Sequence, residues 1–305
     1  MEKIKFGKYV VEISNKDKIL FPKAKLTKGD LIDYYREIGD QMILYTQDRP
    51  ISMVRYPNGI KKKGFYQKDA QDYFPKWIKT KKIKKQKDGH VDYVIIDNVA
   101  TLVYLANLAT IAPHLWLSRI DKLNYPDRMI FDLDPSDGEF KNIRKGALLI
   151  KKKLDELKIK SFPMITGSRG IHVVVPIKRE KNFDWVRSFA TDFSELMAGL
   201  HADIFTTAKR KSKRKKLIFI DMLRNAFGQT SVAPYGVRPK ENAPVATPIS
   251  WDEVSDSSLK PNKYTIKTIF KRLSSLKKDP WKGIDKSAQS LKKARKQLDD
   301  LIGDM

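Results

Sequence analysis

Apolar positions along the chain recur in two rhythms. Alternation or short unbroken apolar runs predict strands at residues 9–14, 51–56, 93–96, 129–134, 161–165, 173–176 and 217–221, with another from Ser231. Spacings of three and four predict helices. Thr27 reads as an N-cap with Asp30 three residues on, and Leu31, Tyr34, Tyr35, Ile38 and Met42 continue the helix. Further helices are expected over 99–108, over 142–157 (Ile143, Ala147, Leu148, Ile150 and Leu154) and over 184–200. Short helices follow Trp251 as far as Ile284. Residues 287–305 read as a charged helical tail with a Leu291, Leu298, Leu301 stripe. Strands and helices mix along the chain without repeat or low-complexity linker, so the expected class is α/β (α+β).

Composition narrows the class of partner. The chain has 305 residues, and 41% hydrophobic residues make it globular. Sixty-one Lys plus Arg against 36 Asp plus Glu give a formal net charge of +25, which points to a polyanion, nucleic acid foremost. A membrane surface is the weaker reading. No strongly amphipathic basic helix, spanning run or N-terminal signal segment is evident. Cysteine is absent, which excludes disulfides, thiolate zinc sites and a cysteine nucleophile; an intracellular location fits.

The candidate chemistry begins at residues 129–135. An apolar run leads into Asp132 and Asp134, one residue apart, and Pro135 cannot extend a sheet ladder. Alternation puts both carboxylates on one face, where they repel unless a cation lies between them. Hard oxygen donors suit Mg²⁺ or Mn²⁺. Such pairs are also common in solvated turns. A calcium loop is excluded, because its fifth, sixth and twelfth places hold Ser136, Asp137 and Ile143. Asp221 ends a second apolar strand and offers the third carboxylate that a two-ion site needs.

Between them lies Thr166-Gly167-Ser168-Arg169-Gly170-Ile171-His172. The glycines promise a tight turn with exposed N–H groups, a nest for phosphate oxygens. Arg169 can fork onto a phosphate and His172 can donate to one. It is not a P-loop, which needs Gly-Lys-Ser/Thr opening a helix. An ordinary hairpin turn would explain the glycines alone.

The remaining signals are weaker. Phe65 and Tyr66, adjacent in a strand beside the basic run 61–63, cannot both be buried and could stack on bases. Lys18 and Lys28 read as solvated surface lysines. A cation at a helix start is disfavoured, and a bound phosphate would remove that oddity at Lys28. His114, between Pro113 and Leu115, reads as a packed structural residue. The lysine-rich run 79–87 reads as a solvated loop. The run 208–216 reads as a disordered, nucleic-acid-binding loop.

Taken in order, these stretches resemble the polymerase domain of prokaryotic non-homologous end-joining ligase D, within the archaeo-eukaryotic primase superfamily. The matching stretches are Asn15-Lys16-Asp17-Lys18, Pro57-Asn58-Gly59, Asp132-Leu133-Asp134-Pro135, Gly167 to His172, Phe219-Ile220-Asp221 and Ala233-Pro234-Tyr235 with Arg238 behind. The likeness runs from Val11 to about Ile284. It implies a primase-like catalytic core over 1–284 with a mixed, RNA-recognition-like sheet and flanking helices. A charged helical tail over 285–305 would follow.

The resemblance also implies roles. Asp132, Asp134 and Asp221 would hold two Mn²⁺ or Mg²⁺. Ser168, Arg169, Gly170 and His172 would hold the nucleoside triphosphate, with Arg55, His114 and Arg238 nearby. Lys18 and Lys28 would grip the 5′-phosphate of a broken DNA end, and Phe65 and Tyr66 would stack near the templating base. The implied activity is primer extension and gap filling at double-strand breaks, with a ribonucleotide preference, in the cytoplasm at the nucleoid. No ligase motif is present, so Ku and ligase functions would come from separate proteins or from a larger fusion. Arg224 stands where relatives often have Gln, Arg169 where they often have Lys, and Tyr66 where they often have Phe.

Three other activities compete with this one. A primase-like enzyme would make primers, but the zinc modules of replicative primases need cysteine. A nuclease could use the same carboxylates but would not need the Gly-Ser-Arg-Gly stretch. A non-catalytic DNA-end-binding module would need only the charge.

Overall fold

The computed structural model describes residues 2–85, 88–136 and 139–304. Lys87 of the basic run, Asp137 of the calcium-loop comparison and Met305 of the tail lie outside them. The described chain forms two compact units built from alternating segments. The first takes residues 1–121, 230–246 and 264–272, and the second takes 122–229, 247–263 and 273–305.

In the first unit, β1 (Glu2–Phe6) and β2 (Tyr9–Ile13) pair as a hairpin, as do β3 (Ile19–Phe21) and β4 (Leu26–Thr27). Helix α1 (Lys28–Thr46) starts where expected. The Thr27 side chain accepts from Asp30 N and the Asp30 side chain accepts from Thr27 N, a complete capping box. Leu31, Tyr34, Tyr35, Ile38 and Met42 are all buried. Next come β5 (Ile51–Arg55), β6 (Phe65–Gln67), β7 (Thr80–Lys84), β8 (His90–Val94), α2 (Val99–Asn107) and β9 (Thr110–Trp116). The lysine run expected to be a loop is instead largely β7, paired antiparallel with β8. Ile83 is buried and Lys81 on its face is half-buried, while Thr80, Lys82 and Lys84 on the other face are exposed.

The second unit is organised on β10 (Arg128–Pro135), followed by α3 (Phe140–Glu156), β11 (Phe162–Ile165), β12 (Ile171–Pro176), α4 (Phe183–Leu200), β13 (Phe205–Thr206) and β14 (Ile218–Asp221). The chain then returns to the first unit as β15 (Thr230–Val232), which completes an antiparallel sheet of order β15-β9-β5-β6. After β16 (Thr247–Pro248) the large sheet reads β13-β14-β10-β12-β11-β16. It is mixed, because β13 runs parallel to β14 while the other pairs are antiparallel. Helix α3 buries Ile143, Ala147, Ile150 and Leu154 as the spacing predicts, while Leu148 stays half-exposed. Gly146 lets α3 approach the sheet: a Cβ there would meet Ile218 Cδ1 at 2.7 Å.

Helices α5 (Trp251–Ser255), α6 (Ile269–Ser275) and α7 (Lys292–Gly303) close the chain. The tail docks on its own unit. Leu291, Ala294 and Leu298 are buried, Arg295 pairs with Asp192 of α4, and Leu301 remains exposed. No helix among the described residues is long and apolar enough to cross a membrane.

Candidate active site

β10 carries the site. Its first four residues are buried, and the pattern breaks into alternation at Asp132, Leu133 and Asp134. Asp132 and Asp134 therefore share a face, as their spacing predicts. Register adds the rest. Asp132 stands opposite Asp221 on β14 and opposite His172 on β12. Directly opposed residues share a face with Cβ atoms about 4.5–5.5 Å apart. His172, Asp132 and Asp221 thus form one row across three strands, with Asp134 one step beyond.

A residue missed from sequence steadies this row. β14 pairs with β10 only from Asp132 onward. At Ile130 the buried Asn225 amide replaces the missing strand: its Oδ1 accepts from Ile130 N and its Nδ2 donates to Ile130 O, both at 2.8 Å. The sequence signal is an amide four residues past Asp221, directly after Arg224.

Cations compensate the carboxylates. Arg224 Nε lies 3.4 Å from Asp132 Oδ2 and 3.6 Å from Asp221 Oδ2. Arg169 lies 3.0 Å from Asp134 Oδ1, and Arg214 lies 3.8 Å from Asp134 Oδ2. His172 Nε2 is 3.4 Å from Asp132 Oδ1, while its buried Nδ1 has no hydrogen-bond partner among the described residues. Burial pushes the Asp221 carboxyl above its ordinary range; Arg224 opposes this and the Asp132 charge adds to it.

The donor types and their register suit divalent ions, since hard oxygens on one face are what Mg²⁺ and Mn²⁺ take. As they stand, no three acidic or imidazole groups among the described residues converge around one point. Arg224 pairs with both Asp132 and Asp221, and Arg169 holds Asp134. Guanidinium groups supply the positive charge that the carboxylates require.

The 166–170 loop joins β11 to β12 and lies against β10. A Cβ on Gly170 would come 2.1 Å from Leu133 O, so only glycine fits. Gly167 has φ +66°. The expected open nest is altered by Thr166. Its hydroxyl accepts from Ser168 N at 3.4 Å and from Gly170 N at 3.3 Å, so those two amides are occupied within the loop. Ser168 is half-buried, Arg169 is exposed and His172 is buried. The 208–216 run is not an unstructured loop. It contains a 3-10 turn, and Arg214 folds back, donating to Ala208 O and Lys209 O with its guanidinium 3.8 Å from the Phe219 ring centre.

The other candidate residues belong to the first unit. Lys28 is not a solvated lysine: it is buried, and Nζ donates to Ser14 Oγ, Asn107 O and Asn107 Oδ1 at 3.2, 3.0 and 2.9 Å. The first amides of α1 are also paired, Lys28 N with Lys18 O and Gly29 N with Lys16 O. Intramolecular acceptors thus satisfy the cation at the helix start. Lys18 reaches Asn58 Oδ1 at 3.0 Å on the surface.

Phe65 and Tyr66 are 46% and 63% exposed on edge strand β6, so both rings face solvent. Alternation separates them. Phe65 pairs with Arg55, whose guanidinium is 5.4 Å from its ring centre, whereas Tyr66 packs edge-on to His114 at 5.9 Å. Arg238 donates its amide to Pro244 O and lies near Tyr35, whose hydroxyl accepts from Val237 N.

The mixed sheet thus carries acidic residues in a row on its central strands, with a glycine loop beside them. The family profile described as LigD, primase-polymerase domain matches residues 27–281, and the chain belongs to that family. It is 31% identical over 265 residues to the bifunctional non-homologous end joining protein LigD of Bacillus subtilis, covering 86% of this chain and 42% of that protein. It is 30% identical over 292 residues to the multifunctional LigD of Pseudomonas aeruginosa, covering 94% of this chain and 34% of that protein. The chain thus spans well under half the length of these relatives. Its fold is similar to the polymerase domain from Mycobacterium tuberculosis ligase D in complex with DNA, with a TM-score of 0.84, 26% identity and coverage of 91% of this chain and 99% of that one.

Proposed function

We propose that this domain extends primer 3′ ends and fills gaps at DNA double-strand breaks by template-directed nucleotidyl transfer, with a preference for ribonucleotides. The observation that carries this reading is the His172, Asp132, Asp221 row with Asp134 beside it, laid against the Gly167–Gly170 loop. Asp132, Asp134 and Asp221 would hold two Mn²⁺ or Mg²⁺, whose chemistry is to activate the 3′-hydroxyl and neutralise the triphosphate. Asn225 fixes the strand that presents the carboxylates. Ser168, Arg169 and His172 orient phosphate oxygens from the loop side, and Arg169 must leave Asp134 to do so. Arg55, His114 and Arg238 assist with the nucleotide. Lys18 serves the downstream 5′-phosphate, which Lys28 joins only by giving up Ser14 and Asn107, and Phe65 and Tyr66 stack on bases. Residues 1–284 form the catalytic part and 285–305 a docked appendage. Ku and a DNA ligase are the partners expected, as separate proteins or as one fusion, and the place of work is the cytoplasm at the nucleoid.

Primer extension on a gapped duplex with a 5′-phosphate, with Mn²⁺ and either ribo- or deoxyribonucleotides, tests this. Templated addition favouring ribonucleotides is expected. No addition with end binding intact would leave a DNA-end-binding module in its place.

A further inference from the structure

Phe65 and Arg55 have a third companion that no sequence motif marked. Tyr73 is 59% exposed, yet it is held at both ends. Its hydroxyl accepts from Arg55 at 3.4 Å, and its carbonyl accepts from the Tyr104 hydroxyl at 3.5 Å. The turn that bears it is anchored by Phe74, 9% exposed, whose ring packs edge-on to Tyr104 at 5.3 Å. The Tyr73 ring rests on Phe74, ring centres 5.2 Å apart, and a ring held in place while mostly exposed forgoes much of its burial and its rotamer freedom. Tethering of this kind is expected of a ring waiting for a flat partner.

The partner's chemistry follows from the surroundings. Arg55 contacts both rings, 5.4 Å from the Phe65 ring centre and 3.4 Å from the Tyr73 hydroxyl. Its remaining contacts are internal, to Leu108 O and Gln67 Oε1. Exposed Lys61, Lys62, Lys63 and Lys68 flank Phe65 and Tyr66 in sequence, on a chain of net charge +25. Aromatic faces beside cations bind unpaired nucleic acid, because only an unpaired base offers a free face. Duplex bases are already stacked on both sides.

We propose that Tyr73 is a base-stacking residue for an unpaired nucleotide of the bound strand, forming with Phe65 and Arg55 a subsite distinct from that of Tyr66 and His114. This rests on the reading of Phe65 as a stacking residue in a polymerase.

The test is binding of the full chain to two labelled DNAs by fluorescence anisotropy, one a duplex with an unpaired template stretch and one fully paired. Tyr73→Ala, Tyr73→Phe and Phe65→Ala are compared with wild type after circular dichroism confirms folding. Tyr73→Ala is expected to weaken binding to the unpaired stretch about 5- to 100-fold, to leave the paired duplex unchanged, and to be rescued in Tyr73→Phe. Equal loss in Tyr73→Ala and Tyr73→Phe would assign the effect to the hydroxyl and overturn stacking. Equal loss on both DNAs would overturn it as well. No loss in Tyr73→Ala with loss in Phe65→Ala overturns the Tyr73 subsite alone. No loss in either overturns the Phe65 reading along with it.

Discussion

Asp132 and Asp221 face each other across two hydrogen-bonded strands, and one Arg224 side chain lies within 3.6 Å of both. Two carboxylates this close need a cation. A divalent ion and a guanidinium therefore compete for the same charge. Arg224→Gln is expected to tighten Mn²⁺ binding about 3- to 10-fold in a calorimetric titration, the scale of a partly exposed ion pair. Unchanged affinity would mean that Arg224 stays in place when an ion binds.

Removing a carboxylate should remove catalysis. Asp132→Ala, Asp134→Ala and Asp221→Ala are each expected to lower templated addition by at least about 100-fold. Because Asp132 and Asp221 are held by backbone ladders rather than by each other, all three variants should keep their circular dichroism spectra. Residual activity near wild type in any of them would take that residue out of the proposed site.

Gly170 is a packing constraint before it is a catalytic one. With Leu133 O 2.1 Å from where a Cβ would sit, Gly170→Ala must push the loop off β10. A loss of roughly 2–4 kcal/mol in urea unfolding is expected, with reduced triphosphate affinity. Wild-type stability would show that the loop yields freely.

Lys28 gives the first unit a pH signature. Burial holds its ammonium below the ordinary lysine value of 10.5, and the nearby Lys18 charge acts the same way. The folded state therefore releases this proton before the unfolded chain does. Between the lowered value and 10.5 the unfolded chain binds more protons, so stability from this group rises with pH. Relative to Lys28→Met, the wild type should gain stability as pH climbs through that window, read from paired urea titrations. A constant difference would refute the shift.

The tail offers a test of docking. Leu298 is fully buried, so Leu298→Ala should cost about 2–4 kcal/mol in the unit that contains α4. Differential scanning calorimetry would report it, and no loss would mean the tail contributes nothing to that unit's stability.

The sequence by itself determined what depends on neighbours along the chain. The 3.6-residue spacing of Leu31, Tyr34, Tyr35, Ile38 and Met42 located α1, and Thr27 with Asp30 located its start. Two-residue alternation put Asp132 and Asp134 on one face. What only the tertiary structure decided depends on strand pairing and on burial. Register chose His172 and Asp221 as the neighbours of Asp132, a choice that no local periodicity encodes. Burial by distant segments turned Lys28 inward to Ser14 and Asn107. A lysine-rich composition hid β7, because its pairing with β8 and one buried Ile83 outweigh the solvated Lys82 and Lys84 on the other face. Asn225 and Tyr73 were illegible for the same reason: an amide and a phenol gain their meaning from the backbone or cation they meet, and folding alone brings those together.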